Sequence, residues 1–501
     1  MKITKTLLLL FGIFVLLTSG QALAQINPIY SLHLEPSIPM DTDWSFETNQ
    51  EGETSPYDHR ALTVGDKCDV NDDGYDDLLV GKRDYNISTY TDNGIAWLFL
   101  GSSNGLPVSP SLTFNPPYPN TYGFFGTQAK CAGDVNDDGY DDLIIAMDNY
   151  EDLYSDEGAV FVYYGSDPPD ASYDWMARGD STYAHFGISV DSAGDITGDG
   201  YDDIIVGANG NDYSGVITAA YVWYGGSGGL GTSGLPGNAD WVATDSSLAI
   251  GFALQVRGIG DVNSDGFDDV LVGAHVYDGD YTNQGEVFVY YGDSLGLGPT
   301  GTVNNADWMA IGEQTSAYFG SSADGVGDLN GDDYDDLAVS AYAFDNPDNN
   351  EGKVFVWYGS STGLGDDGTP SNADWEAESN LAGSIFGYSL NPAGDVNGDG
   401  YDDLLVTAPG YPSGGAWFVW TGSPSGLGPN GTPENSKKSG YSDQSGSNLG
   451  RDNAGALDVN DDGLDDIFVA ARLYSNGQPS EGMVFGYYSG SIHLYLPLII
   501  R

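Results

Sequence analysis

The 501-residue chain sets 74 acidic side chains against 15 basic ones, a formal net charge of −59, and a polyanion without a basic patch does not bind nucleic acid. Hydrophobic residues make up 40% and aromatic residues 13%, with 72 glycines recurring at regular intervals, which excludes a disordered acidic chain and points to a turn-rich, all-β protein with a real core.

At the N-terminus Lys2 and Lys5 precede an apolar run from Leu7 to Leu17, and Ala22-Leu23-Ala24 supplies a small-x-small cleavage site. This is the pattern of a secretory signal peptide over residues 1–24, with the mature chain starting near Gln25. No cysteine follows the cleavage site, so no lipid anchor is expected there, and no later apolar run is long enough to span a bilayer. The expectation is an exported, monomeric protein, secreted or at the cell surface, without a transmembrane segment. Residues 25–40 read as a lead-in.

A nine-residue acidic stretch then recurs seven times. It reads DVNDDGYDD from Asp69 and Asp134, DITGDGYDD from Asp195, DVNSDGFDD from Asp261, DLNGDDYDD from Asp328, DVNGDGYDD from Asp395 and DVNDDGLDD from Asp458, at intervals of 65, 61, 66, 67, 67 and 63 residues. So regular a period marks a repeat architecture. Each unit opens on an aromatic-glycine pair, as in Phe186-Gly187, Phe319-Gly320 and Phe386-Gly387. The acidic loop follows and runs into a short apolar stretch such as LLVG (Leu78–Gly81) or VLVGA (Val270–Ala274). A polar loop leads to GEVFVYYG (Gly285–Gly292) or its counterpart, and a Gly-Pro-Ser-rich turn to NADW (Asn305–Trp308, Asn372–Trp375). These runs are too short for helices, are β-branched or aromatic, and are bounded by Gly, Pro and Asp. Four strands per unit and seven units in a ring predict an all-β, seven-bladed β-propeller over residues 41–490. The chain leaves the repeats after the third strand of the last unit, GMVFGYYSG (Gly482–Gly490), while Asp43-Trp44 matches NADW. The N-terminal strand is therefore expected to complete the seventh blade.

Close carboxylates repel one another by ~1–4 kcal/mol per pair, so the acidic loops need a counter-charge. Calcium takes six to eight hard oxygen ligands in a flexible shell. Side chains at loop positions 1, 3, 5 and 9, with the main-chain carbonyl at 7, supply them. In the first loop these are Asp69, Asn71, Asp73, Asp77 and Tyr75; in the second, Asp134, Asn136, Asp138, Asp142 and Tyr140. The third offers Asp195, Thr197, Asp199, Asp203 and Tyr201, and the fourth Asp261, Asn263, Asp265, Asp269 and Phe267. The fifth has Asp328, Asn330, Asp332, Asp336 and Tyr334, and the sixth Asp395, Asn397, Asp399, Asp403 and Tyr401. The last has Asp458, Asn460, Asp462, Asp466 and Leu464. Glycine at position 6, Gly74 in the first copy, allows the sharp turn. An EF-hand would need a bidentate Glu at position 12, where Val80 stands instead. Asp/Asn-rich turns are common in β proteins, but seven copies with the same ligand positions favour up to seven structural Ca²⁺. Two departures are Thr197 at position 3 and Asp333 at position 6. Cys68 and Cys131 each lie just upstream of a loop in successive units. They form either an inter-repeat disulfide or two small buried thiols; the Cα separation that decides it is not in the sequence.

With these motifs the units resemble FG-GAP repeats. Phe386-Gly387 is the FG, and Ala408-Pro409 keeps the AP of GAP. The chain from about Asp41 to Gly490 is similar to the β-propeller of integrin α-subunits and its bacterial relatives. The resemblance implies calcium bound on one face, in the loops between strands 1 and 2, and partners bound mainly on the opposite face. Integrin propellers carry the metal loop in only some blades, whereas all seven repeats have it here.

No catalytic constellation is visible. His33, His59, His185, His275 and His493 are scattered, and no nucleophile sits in a recognisable elbow. A recognition module for extracellular protein or carbohydrate is the favoured reading, the alternative being a calcium-dependent polysaccharide-active enzyme or a lectin-like propeller. Under the resemblance, the partner face carries Arg83–Gly94, Met147–Gly158 and His275–Glu286, loops rich in Tyr, Asp and Asn. Arg178-Gly179-Asp180 spells an adhesion tripeptide, yet it stands where other units read Ala310–Glu313 and Val242–Asp245 and is expected to be a variant of that turn. The apolar tail, residues 491–501 with Ile492–Ile500, is too short to cross a membrane.

Overall fold

The computed structural model describes residues 42–48, 62–65, 67–210, 218–244 and 251–490. The signal peptide, the lead-in, the C-terminal tail, His33, His59 and His493 lie outside the described residues. The described helices are two 3₁₀ turns, Pro236–Asn238 and Pro433–Asn435, and no helix among the described residues is long and apolar enough to cross a membrane.

The strands form seven four-stranded antiparallel sheets, each built around one acidic loop. Blade 1 comprises Thr63–Val64, Leu78–Lys82, Ile95–Phe99 and Leu112–Phe114, and blade 2 comprises Phe125–Gly133, Asp142–Met147, Ala159–Tyr163 and Trp175–Arg178. Blades 3 to 6 repeat the order from Phe186, Gln255, Phe319 and Leu390. Blade 7 takes Leu449–Leu457, Asp466–Ala471 and Met483–Tyr487 from the C-terminal end and Trp44–Glu47 from the N-terminal end, with Trp44 opposite Gly486. The ring thus closes through the N-terminal strand, as its NADW-like sequence predicts.

First strands of successive blades lie side by side around the axis. Strand direction alternates, so the 1–2 and 3–4 connections emerge on one face and the 2–3 and 4–1 connections on the other. The core sits between blades. Val70, Leu79 and Leu98 of blade 1 pack with Phe125, Ile145 and Phe161 of blade 2, and every such side chain is at most 2% exposed. A repeated aromatic contact fastens these interfaces: the fourth-strand Trp of one blade meets a third-strand aromatic of the next edge-on. Trp175 meets Trp223, Trp308 meets Trp357, Trp375 meets Trp420, and Trp44 meets Phe99 across the closure, at 5.0–5.7 Å between centroids. Such pairs contribute ~0.5–1.5 kcal/mol beyond their buried area. The indole N–H of Trp44, Trp241, Trp308 and Trp375 donates to a main-chain carbonyl of the following blade at 2.9–3.1 Å. Asp43, Asp174, Asp240, Asp307 and Asp374, the aspartates beside these tryptophans and Trp175, each accept the N–H of a third-strand-end Tyr in their own blade. This explains why the DW pair recurs.

Candidate metal loops and the opposite face

In all seven loops the position-1 carboxylate faces inward and accepts the N–H groups of positions 5 and 6 at 2.7–3.2 Å. The turn that brings those N–H groups round needs a left-handed residue at position 6. The six glycines there have φ of 80–91°, and Asp333, the exception, has φ 67°. Side-chain oxygen at position 5 accepts the position-7 N–H in five loops, at 3.1–3.3 Å, so the carbonyl of position 7 is held by the same turn.

Position 9 is fully buried in every loop. One of its oxygens accepts the N–H of a residue just past the third strand, at 2.8–2.9 Å. In six loops the other accepts the position-2 N–H, at 3.0–3.2 Å. Burial pushes the carboxyls of Asp77, Asp142, Asp203, Asp269, Asp336 and Asp466 up to about 8, and Asp403 to about 7, with the neighbouring loop carboxylates adding to the rise. The N–H groups that each carboxylate accepts offset part of that rise, and a nearby cation would act in the same lowering direction.

The donors fit calcium. They are all hard oxygens, and two position-3 oxygens, Asn71 Oδ1 and Thr197 Oγ1, are shielded from solvent with no hydrogen-bond partner. Among the described residues, the one trio of His, Cys, Asp or Glu ligand atoms lying within 4.8 Å of one another is Cys68, Cys131 and Asp141. Those two sulfurs are joined in a disulfide, with Cα atoms 5.6 Å apart. Cys131 lies on the first strand of blade 2 and Cys68 just past the first strand of blade 1. The position-1 carboxylates are turned onto the N–H groups of their own loops.

Sequence reasoning gave position 8 no role, and the structure supplies one. Its carboxylate accepts the N–H of position 1 in the preceding blade at 2.7–2.9 Å, in all seven interfaces. Its own N–H donates to the carbonyl of that same residue at 3.1–3.3 Å. Burial also raises these carboxyls, to about 6 in Asp76, Asp202 and Asp335. A second set of clasps uses the third-strand-end Tyr hydroxyl. Tyr164, Tyr224, Tyr291, Tyr358 and Tyr488 each accept an N–H from a Leu of the next blade at 2.9–3.3 Å.

On the opposite face, Tyr90, Tyr122, Tyr154, Tyr183 and Tyr281 are exposed. The 2–3 loop of one blade lies against the chain entering the next: Tyr122 N–H bonds Thr91 O, Tyr183 N–H bonds Ser155 O, and Ser316 N–H bonds Thr282 O, at 2.7–2.8 Å. Tyr122 and Tyr183, which no sequence motif singled out, thereby stand beside Tyr90 and Tyr154. Arg178 ends the fourth strand of blade 2 and is engaged by Asp152 at 2.9 Å and buried Glu157 at 3.3 Å, so its guanidinium belongs to the fold. His185 and His275 are on different blades, with His185 Nδ1 3.1 Å from Asn149 Oδ1 and His275 edge-on to Tyr318.

The FG-GAP repeat family matches residues 186–223, 258–290, 319–357 and 386–420. Each matched stretch runs from a first strand through an acidic loop to the end of the third strand. This is an integrin-alpha-like FG-GAP β-propeller. Relatives of the propeller include integrin alpha-8 of Gallus gallus, 31% identical over 232 residues, and integrin alpha-5 of Xenopus laevis, 30% identical over 235. Each alignment covers 45% of this chain and 20% of the relative. Integrin alpha-7 of Homo sapiens is 36% identical over 164 residues, 32% of this chain and 12% of the relative. The propeller chain thus spans a fifth or less of the length of these relatives.

Proposed function

We propose that the protein is a secreted, calcium-stabilised recognition propeller, with structural Ca²⁺ in up to seven loops on one face and extracellular protein or glycan bound by the other. The reading is carried by the sevenfold loop geometry: a position-1 carboxylate at the hub of every turn, with position-3 oxygens buried and unpartnered in two of them. A bound cation would neutralise the loop carboxylates and draw positions 1, 3, 5 and 9 together with the position-7 carbonyl. The chain's own part is to hold those groups on a turn whose two ends are tied, by positions 8 and 9, to the neighbouring blade and the third strand.

For recognition, the support is the row of exposed tyrosines on the face away from the metal loops. Aromatic side chains flanked by amides and carboxylates suit protein or sugar contact. Integrin relatives make a recognition role the nearer analogy. A glycan and protein array, probed in calcium and in chelator, tests this. Loop replacement at Tyr154 and at Tyr281 should abolish binding while the calcium-loaded fold persists; binding lost only on changes to the metal-loop face overturns the assignment.

A further inference from the structure

We infer that the position-8 aspartates couple the metal loops into one cooperative ring, so that filling one loop raises the affinity of the loops on either side. The inference rests on the calcium reading above, and it concerns residues that contact no metal. Asp202 illustrates it. Its carboxylate takes the Asp134 N–H at 2.8 Å, and its N–H reaches the Asp134 carbonyl at 3.2 Å. Asp134 is the hub ligand of loop 2. Asp203, the next residue along from Asp202, is the buried ligand at position 9 of loop 3. Two hydrogen bonds, one to a side-chain carboxylate and one between main chains, thus join a ligand of one loop to the neighbour of a ligand in the next. The same pair of bonds occurs at every interface, including Asp76 to Asp458 across the closure.

This contact is built for. Gly133, Gly194, Gly260, Gly327 and Gly394, each immediately before position 1, are left-handed with φ of 65–72°. A Cβ at any of them would overlap the position-8 carboxylate of the following blade. Position 1 is a ligand in the calcium reading, so any movement it makes on binding is passed across the clasp to the next blade. That movement pulls on position 8 of the next blade and through it on position 9. Coupling of this kind is reciprocal and typically changes affinity about 5–150-fold.

The test uses the full chain, stripped with chelator and titrated with calcium by calorimetry and by competition with a chromophoric chelator. The expected isotherm is steeper than that of independent sites, with a Hill coefficient above one. Asp203→Ala removes a ligand from loop 3 alone, and coupling weakens loops 2 and 4 as well, by about fivefold or more. Asp202→Ala keeps every ligand but weakens loops 2 and 3, and Asp202→Asn, which still offers an acceptor to the Asp134 N–H, restores much of the loss. Near-UV circular dichroism in saturating calcium checks the fold; if Asp202→Ala does not fold, the Asp203→Ala isotherm decides. Six unaltered sites in Asp203→Ala would overturn the coupling and leave the calcium reading standing. No calcium uptake by the unmutated chain would overturn that reading instead.

Discussion

The carboxylate of Asp76 accepts the N–H of Asp458 at 2.7 Å, although 382 residues separate them. The same residue, by its N–H, bonds the Asp458 carbonyl at 3.2 Å. These bonds tie blade 1 to blade 7 on the face that carries the acidic loops, and the N-terminal strand ties them a second time at the rim. Asp76→Ala leaves the Asp458 N–H without its acceptor, so we expect a loss of about 1–3 kcal/mol in calcium. Denaturant unfolding measures it, and an unchanged midpoint would show that the clasp carries no stability.

Trp44 makes the rim contact. It is 5% exposed, edge-on to Phe99 and to Phe468, with its indole N–H on Pro107 O. Trp44→Ala removes both the packing and the tie to blade 1, at an expected cost of about 3–5 kcal/mol. Loss of cooperativity in the unfolding curve, with blades 7 and 1 exchanging amide hydrogens first, is the accompanying signature. A midpoint no lower than that of a surface Trp variant argues against closure through this strand.

The Cys68–Cys131 bond joins residues 63 apart in sequence across the blade 1–2 interface. Blade 1 has the shortest first strand, Thr63–Val64, so a covalent tie matters most there. Thiol titration of the denatured, unreduced protein should find no free sulfhydryl, and reduction should lower stability by about 2–4 kcal/mol. Two titratable thiols would exclude the bond.

The ring, its count and its closure were legible because a repeat writes the same local signal seven times. Asp43-Trp44 could be placed in blade 7 only because Asn305–Trp308 and Asn372–Trp375 showed what a fourth strand looks like. Glycine at position 6 likewise announced the turn that delivers two N–H groups to Asp69 or Asp134. What stayed hidden was every contact whose partner is a peptide group. Asp141 and Asp202 bind backbone N–H groups of the preceding blade, and any residue but proline offers one, so no pairing pattern appears in the sequence. The one trace was the glycine before position 1, Gly133 or Gly194, whose missing Cβ makes room for the clasp. Tyr164 and Tyr224 escaped notice for the same reason, as their hydroxyls accept from the main chain of Leu230 and Leu297. Arg178 could be set aside as an adhesion motif from its register, but its two carboxylate partners sit in another part of the blade and needed coordinates.

Acid should act in opposite directions on the metal-free and calcium-loaded protein. Without metal, burial raises the position-9 carboxyls from the ordinary 3.8 to about 8. A group whose folded value lies above its unfolded value contributes stability fully present below the unfolded value and lost as pH rises through the folded one. The chelated protein should therefore melt at a falling temperature as pH is raised from about 5 to about 9. Calcium binds the ionised form, so in excess calcium the same rise in pH should stabilise the protein. Parallel melting profiles with and without chelator would show that these carboxyls do not face the cation.

Calcium removal is the most demanding prediction. Seven ions would bring the formal charge from −59 to −45, two units per ion, relieving repulsion crowded into the loops. Each site held at a hundredfold excess over its dissociation constant adds ~2.7 kcal/mol to folding, and two or three such sites already rival the ~5–15 kcal/mol of an ordinary domain. The sites should not be equal. Thr197 offers a hydroxyl where all six other loops set an Asn amide, so the third should fill last. The fifth holds Asp333 at φ 67°, a geometry Asp tolerates better than most residues, and should differ little from its neighbours. Melting in excess calcium should exceed melting in chelator by tens of degrees, and Thr197→Asn should raise calcium affinity without altering the fold. A midpoint that stays put on chelation would make the seven loops ordinary turns, and the carboxylates at positions 1, 5 and 9 would then serve only to tie down backbone N–H groups.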